Sequence, residues 1–268
     1  MYKLDHSAEH KTFLLRVKKR KGLILVCQAL LLIAFFALWE IAARQRWIDA
    51  FIFSQPSRMW AVFVDMLSNG RLWPHIRVTL GVTVVGFVLS TAIGTVAAAL
   101  LWWNKFLNAV LAPYIVVLNS LPKTALAPIL IVWIGNNVRS IIVTAVLISV
   151  VVSIITVLNG FLQVEPEKIK LIQTFSPKKS HVLFKLLIPA NIPTIIAAMK
   201  INVGLSLVGV IVGEFLVAQS GLGFLIVYGS QIFRMDWVMM SIIILCVMAA
   251  VLYQLVLRLE KKFADWMQ

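Results

Sequence analysis

The chain has 268 residues, of which 61% are hydrophobic and only 13% are charged. Soluble domains contain roughly 45–50% apolar residues, and a water-soluble protein of this length has too much surface to hide such an excess. These numbers exclude an ordinary soluble domain and predict an integral membrane protein. The formal net charge of +14 does not indicate nucleic-acid binding, because the basic residues lie mainly in short segments beside apolar runs, as in the cytoplasmic loops of membrane proteins.

Apolar runs of membrane-spanning length recur along the chain. A spanning helix needs about 20 predominantly apolar residues, and the sequence predicts spans over residues 22–43, 78–104, 106–134, 140–164, 186–217 and 237–257. The first run is too long for a cleaved signal peptide and no small-residue cleavage pattern follows it, so we expect a retained anchor. The predicted fold class is an all-α integral membrane protein with about six transmembrane helices. Its transmembrane domain, 22–262, lies between a basic segment, 1–21, and a tail, 263–268.

The distribution of lysine and arginine predicts the orientation of these spans. If the amino terminus is inside, the carboxyl terminus and the loop 165–185 also face the cytoplasm. That side then carries more than twice as many basic residues as the other, in agreement with the positive-inside rule. We therefore expect a multi-pass plasma-membrane protein whose two termini are cytoplasmic.

The segment between the first two predicted spans has a helical pattern of its own. Pro56-Ser57 is followed by apolar residues at helical spacing, namely Met59, Trp60, Phe63, Met66 and Leu67. This pattern predicts an amphipathic helix along the membrane surface.

Prolines interrupt the third predicted span. Pro113, Pro122 and Pro128 should break its helix, because proline lacks an amide hydrogen and clashes with the preceding turn. A broken helix at membrane depth is tolerated where it faces protein or a water-filled cavity. The third span is therefore expected near a pathway through the membrane.

Apart from Glu40, near the end of the first predicted span, three charged residues fall within predicted spans: Lys123, Lys200 and Glu214. Burying a charge in lipid is costly, so such residues usually face a cavity, a partner group or the interface. Lys200 and Glu214 would be about 21 Å apart along one helix, so they cannot pair with each other. Lys200 either reaches the cytoplasmic edge or lines a pathway. Lys123 either supports the proline break or lines the pathway, and Glu214 either binds the backbone broken after Gly213 or contacts substrate.

Small residues suggest where helices approach each other. Gly209 and Gly213 have the small-xxx-small spacing that lets membrane helices pack closely, within one subunit or across a homodimer. The apolar stretch 220–234, which contains Gly221 and Gly223, is either a re-entrant or surface helix that forms part of an outer gate, or an ordinary loop.

The four histidines lie outside the apolar runs and are expected to be solvated. The two cysteines have no metal-ligand spacing around them, and we predict no metal site and no cofactor.

The cytoplasmic loop 165–185 mixes charged with apolar residues. Its apolar residues are Ile169, Leu171, Ile172, Phe175, Val182, Leu183 and Phe184. Their spacing predicts one or two short amphipathic helices, with Ser176-Pro177 as the break between them. The spacing fits equally well a docking surface for a cytoplasmic partner and a loop that folds back onto the membrane.

The same loop carries a family resemblance. Residues 164–180 read VEPEKIKLIQTFSPKKS, and residues 187–193 read LIPANIP. This resembles the EAA loop of binding-protein-dependent ABC importer permeases, in which the loop forms coupling helices that sit in a cleft of the ATPase subunit. Further motifs are similar to the nitrate/sulfonate/taurine branch of that family: LPKTALAP at 121–128, WIG at 133–135, GEF at 213–215 and SGLG at 220–223.

The loop departs from the family pattern at its most typical positions. Where relatives usually have Glu-Ala-Ala and, later, a glycine, this chain has Lys170, Leu171, Ile172 and Ser176. Pro177 is an alternative helix breaker, since proline disfavours helix at the residue before it. Lys170 reverses a local charge, so the ATPase surface that it meets is expected to differ from the usual one.

The resemblance implies a type I importer permease that works with several partners. These are two copies of an ABC ATPase subunit, a second permease subunit that forms a homodimer, an extracytoplasmic solute-binding protein and membrane lipid. No glycine is followed by lysine, so the chain lacks a phosphate-binding loop, and we expect ATP hydrolysis in the separate subunit and no enzyme activity here. The expected solute is a sulfonate-, taurine- or nitrate-type anion. The alternatives are a pyrimidine vitamin precursor or riboflavin, and, from another class, a stand-alone secondary transporter or channel.

The resemblance and the unusual charges together nominate two groups of residues. The ATPase-coupling candidates are Glu165, Glu167, Lys170, Leu171, Phe175, Ser176, Pro177 and Lys178. The candidates for the pathway or gate are Lys123, Lys200, Glu214, Gly221 and Gly223.

Overall fold

A computed structural model describes residues 8–175 and 178–267, and every regular element in that part of the chain is a helix. The α-helices in chain order are α1 (Ala8–Arg44), α2 (Ala50–Phe53), α3 (Pro56–Ser68), α4 (Leu72–Trp103), α5 (Lys105–Ser120), α6 (Ala127–Ile134), α7 (Val138–Leu162), α8 (Pro166–Phe175), α9 (Lys179–Val182), α10 (Ile188–Ala190), α11 (Ile192–Val217), α12 (Leu222–Gln231) and α13 (Met235–Met267). A 3₁₀ turn covers Lys123–Leu126 and a π-helical turn covers Leu183–Leu187. The all-α fold class is confirmed.

The chain divides into two compact units, the first ending at Val62 and the second beginning at Phe63. In the first unit, α1 begins at Ala8, so the first helix extends into the predicted basic segment, of which residues 1–7 lie outside the described residues. The most apolar 18-residue window within its span, Phe13–Arg44, contains no buried residue. This is the arrangement expected of a helix whose solvent is lipid.

The amphipathic helix predicted after Pro56 is confirmed as α3. Met59 and Met66 are buried, whereas Trp60 is 66% exposed. The helix therefore has one buried and one exposed face, as its spacing predicts.

Helices α4, α7 and α11 form the centre of the second unit. They approach closely because glycines lie at the contacts. A methyl group on Gly209 would lie 2.6 Å from the Cα of Ala145, and one on Gly213 would lie 2.9 Å from Cγ2 of Ile141. Of the two alternatives for this small-xxx-small pair, packing within one subunit is the one observed.

Polar side chains are buried between these helices. The amide of Asn202 on α11 donates to Oγ1 of Thr91 on α4 at 2.8 Å and also bonds Ser153 on α7. Ser149 and Ser206 are hydrogen-bonded at 3.2 Å. Such contacts hold helices together in lipid, where apolar burial alone provides little drive for association.

Five helices of the described chain are long and apolar enough to cross a membrane, and a sixth crossing is possible if one bent pair counts as a span. That pair comprises Lys105–Ser120 and Lys123–Ile134, which meet at 87°. The predicted break in the third run is therefore confirmed, but Pro113 does not cause it and lies inside α5. The break falls at Pro122, just after α5, and Pro128 lies in the first turn of α6, where proline is tolerated.

The two short helices predicted in the loop 165–185 are confirmed as α8 and α9. Their predicted break, Ser176-Pro177, lies outside the described residues. The fifth predicted span is divided, because α10 ends before Asn191 and α11 begins at Ile192. Prolines in the first turns of α10 and α11 account for this division.

Candidate functional site

One face of α8 anchors the loop to the end of the helix bundle. Ile169 and Ile172 pack against a buried apolar cluster drawn from α4, α7, α11, the end of α9 and the residues after it. The cluster consists of Ala98, Leu101, Val157, Leu158, Phe161, Val182, Leu183, Leu187 and Ala198. The ammonium group of Lys179 also donates to the carbonyl of Trp103, the last residue of α4, at 3.4 Å. The loop is thus in direct contact with the ends of three long helices.

Other apolar side chains of α8 are large and exposed. Leu171 is 58% exposed and Phe175 is 83% exposed, and they lie four residues apart on one face of the helix. Phe184, after α9, is 66% exposed. Large apolar groups on a charged surface are typical of a contact site.

The charged residues of this surface are also exposed. Lys168 pairs with Glu165 at 3.2 Å across one helical turn. Within the described residues, Glu167, Lys170 and Lys178 make no ion pair. The structure therefore brings the described coupling candidates to one exposed surface on and beside α8. Ser176 and Pro177 lie outside the described part.

A second polar site joins α4, α11 and the start of α12. Glu214 is 1% exposed, and its carboxylate accepts hydrogen bonds from the Thr79 hydroxyl and the Gly223 amide, each at 2.7 Å. The same hydroxyl oxygen accepts the Leu222 amide at 2.8 Å. A negatively charged carboxylate is stabilised at a helix N-terminus, because the first backbone amides of the helix have no partner within it. We call Thr79, Glu214 and residues 221–223 the Glu214 junction.

Glycines are required at two positions of the Glu214 junction. Gly221 has φ +130°, a conformation that side chains with a Cβ rarely adopt, and a methyl group there would meet the Glu214 carboxylate. A methyl group on Gly223 would lie 2.8 Å from Cβ of Glu214. The stretch 220–234 is accordingly not an ordinary loop, since α12 occupies most of it.

His75 extends the Glu214 junction, and the prediction that it is a solvated side chain is wrong. Its ring is partly buried, accepts the Gly221 amide at Nδ1 over 3.0 Å and stacks on Phe224 at 5.9 Å. Phe224 stacks in turn on Tyr228, the next residue on that face of α12. The four-residue spacing of His75 and Thr79 puts both on one face of α4, but it does not identify Gly221 as the partner of His75.

The far end of α12 is held by Arg234, which links it to α13. The Arg234 amide donates to the Gly229 carbonyl at 2.7 Å, and its guanidinium lies 5.3 Å from the centre of the Trp237 ring. Hydrogen bonds to Asp236 raise the pKa of Arg234 above its usual value. Both ends of α12 are therefore fixed to neighbouring helices.

The two lysines among the pathway candidates lie at separate places. Lys200 on α11 bonds both carboxylate oxygens of Glu260 on α13 at 2.9 Å, a partner that the sequence analysis missed. Lys123 lies at the helix break, with its ammonium group 3.4 Å from the Asn119 carbonyl. Neither lysine is hydrogen-bonded to Glu214 or to its partners in the described residues. For Lys200 this agrees with the prediction that it cannot pair with Glu214.

Comparison with known proteins gives this arrangement a family. Residues 90–267 match the family described as the binding-protein-dependent transport system inner membrane component. The chain belongs to this family. It is therefore an ABC importer permease subunit and a multi-pass plasma-membrane protein, of a kind that works with an ATPase and a binding protein.

Relatives of the permease carry names with different substrates. It is 24% identical to a putative aliphatic sulfonates transport permease protein of Bacillus subtilis, covering 92% of this chain and 87% of that protein. It is 27% identical to a formylaminopyrimidine transport permease protein of Halalkalibacterium halodurans, covering 73% and 77%. An inward-facing structure of the MetNI methionine ABC transporter contains a chain with the same fold, with a TM-score of 0.64 and 17% identity, over 72% of the permease and 97% of that chain.

Proposed function

We propose that α8 and α9 are the coupling helices through which a separate ATPase drives this permease. The observation that carries the proposal is that α8 packs some of its apolar side chains on the helix bundle and exposes others. Ile169 and Ile172 are packed on the cluster at the end of α4, α7 and α11, while Leu171 and Phe175 are exposed. An ATPase that binds the exposed side chains would, when it moves, displace the ends of the three long helices together.

In the proposed cycle, two permease copies face each other and two ATPase subunits hold their coupling helices. Closure of the ATPase pair on ATP draws the coupling helices together and opens the cavity outward, and hydrolysis resets it. Cytoplasmic termini are part of this proposal, and the excess of basic residues that this orientation puts on the cytoplasmic side supports it. An extracytoplasmic binding protein would deliver solute to the opposite side.

Removal of the exposed Phe175 ring tests the coupling site. Burying a phenylalanine at an interface contributes about 1.5–3 kcal/mol, so Phe175→Ala should weaken ATPase association roughly 10- to 100-fold. The control is Phe35→Ala, which removes a 58% exposed ring from α1. Co-purification of the ATPase and ATP-driven uptake in proteoliposomes are measured. Normal association of the Phe175→Ala variant would place the coupling site elsewhere.

At the opposite end of α11, we propose that the Glu214 junction belongs to the outer gate. Its support is geometric, because one carboxylate holds the start of α12 against α4 and α11. Opening a path beneath α12 would require these bonds to break or to move as a unit. Contact of Lys123 or Lys200 with solute remains a proposal as well, and uptake by Lys123→Met and Lys200→Met variants tests it.

For the solute, we propose a sulfonate-, taurine- or nitrate-type anion. The name of the Bacillus subtilis relative supports this class, with alignment over most of both chains. The formylaminopyrimidine relative, of similar identity, supports the alternative of a pyrimidine vitamin precursor. Riboflavin is the other alternative. Uptake by the reconstituted permease, ATPase and binding protein decides between them. Transport of taurine or nitrate, with no transport of formylaminopyrimidine or riboflavin, is the expected result.

A further inference from the structure

We infer that the end of α1 holds an oxyanion-binding site, formed by Arg44, Arg46 and Arg58. These arginines line an open cavity of about 580 Å³ in the first unit, together with Asp49 and Gln55. The ligand class is a phosphate or sulfonate group. Its source is either the headgroup of a membrane lipid or a free anion, and the two are separated by experiment below.

The chain's own carboxylates leave guanidinium groups free at this cavity. One oxygen of Glu40 binds Arg44 at 2.7 Å, and the other accepts the Ser57 amide at 3.0 Å. Asp49 accepts the Phe51 amide at 2.8 Å and so caps α2. Across the described residues, Arg46 and Arg58 form no ion pair. A guanidinium with unused donors fits an oxyanion with two parallel hydrogen bonds.

The backbone is folded so that the arginines meet. After α1 ends, the Trp47 amide bonds back to the Ala42 carbonyl at 2.9 Å, and Arg46 has φ +60°, which is uncommon for a residue with a side chain. This turn brings residues 46–50 back beside Arg44 and Arg58 at the cavity. The strained turn therefore shapes the cavity.

Aromatic residues beside the cavity indicate where it lies in the membrane. Trp47, which follows Arg46 directly, is 70% exposed, and Trp60, two residues after Arg58, is 66% exposed. Tryptophan concentrates at the level of the lipid headgroups, and the apolar run of α1 ends here. Arginines at that depth meet the layer in which lipid phosphates lie, and they are also open to anions in the outside medium.

The test compares the full-length permease with variants in detergent and in vesicles, without ATPase or binding protein. The double variant Arg46→Gln/Arg58→Gln removes the free guanidinium groups. Arg71→Gln and Arg139→Gln remove exposed arginines outside the cavity. Asp49→Asn keeps a capping side chain and removes a negative charge, so it should strengthen anion binding. This variant acts in the opposite direction, so misfolding cannot imitate its effect.

Two measurements distinguish the sources of the anion. Native mass spectrometry counts phospholipids retained after purification from phosphatidylglycerol vesicles, and calorimetry measures inorganic phosphate and taurine binding to the detergent-purified permease. Loss of retained lipid in the double variant alone indicates a headgroup site. A loss of about tenfold or more in phosphate or taurine affinity indicates a free-anion site. If neither measurement separates the double variant from both controls, and Asp49→Asn changes nothing, the site does not exist. Because no transport is measured, failure here leaves the coupling proposal intact.

Discussion

The hydroxyl of Thr79 donates to the carboxylate of Glu214 at 2.7 Å, although the two residues are 135 positions apart in the chain. The same oxygen accepts the Leu222 amide. One small side chain on α4 therefore connects α11 to the start of α12. In lipid, where water cannot replace a missing partner, this contact should weigh heavily in the stability of the fold.

Thr79→Val should destabilise the permease by about 1–3 kcal/mol, because it leaves a buried carboxylate and a buried amide each short of one partner. Thr95→Val is the matched control on the same helix, since the hydroxyl of Thr95 is buried without a hydrogen-bond partner. Thermal unfolding in detergent measures both. Equal melting temperatures for the two variants would mean that the junction adds no stability.

Gly221→Ala should abolish correct assembly of the α11–α12 connection. The alanine would need an unfavourable positive φ, and its methyl group would meet the Glu214 carboxylate. Gly204→Ala, on α11, is the control, because no atom lies within 4 Å of the added methyl group. Folded yield and uptake are the measurements. An active Gly221→Ala permease would show that this connection is looser than described.

The ion pair of Lys200 and Glu260 should stabilise contact between α11 and α13. Its side chains are only 19% and 29% exposed, so removing one partner leaves a poorly solvated charge. A double-mutant cycle of Lys200→Met and Glu260→Gln should give a coupling energy of about 1 kcal/mol or more. The exposed pair of Glu165 and Lys168 should give about 0.5 kcal/mol or less. Similar values for both pairs would argue against a special role for Lys200.

Lys170→Glu should weaken ATPase association, because the loop 165–185 contains five lysines and two glutamates and is expected to meet an acidic partner. The difference should shrink at high salt, where exposed charges are screened. Lys105→Glu, at the start of α5, is a control of equal charge change. ATPase association is measured at low and at high salt. Tighter association of the Lys170→Glu variant would contradict this account.

The features predictable from sequence are those that depend on local patterns. Apolar runs locate the long helices because lipid is their solvent, and the spacing around Ile169 and Phe175 predicts α8. The partners of Glu214 and Lys200 were not predictable, since they lie on helices 135 and 60 positions away and have no periodic signal. His75 was misjudged for the same reason, because its contact to Gly221 depends on how α4 and α12 pack.

Photo-crosslinking from position 175 tests the central claim most directly. A photoreactive residue replaces Phe175 in one permease and Phe35 in another, and each is assembled with the ATPase in membranes. We predict crosslinks to the ATPase from position 175 whose yield changes on ATP addition, and none from position 35. Crosslinks from position 175 only to lipid or to the permease itself, with ATP-driven uptake intact, would contradict coupling through α8.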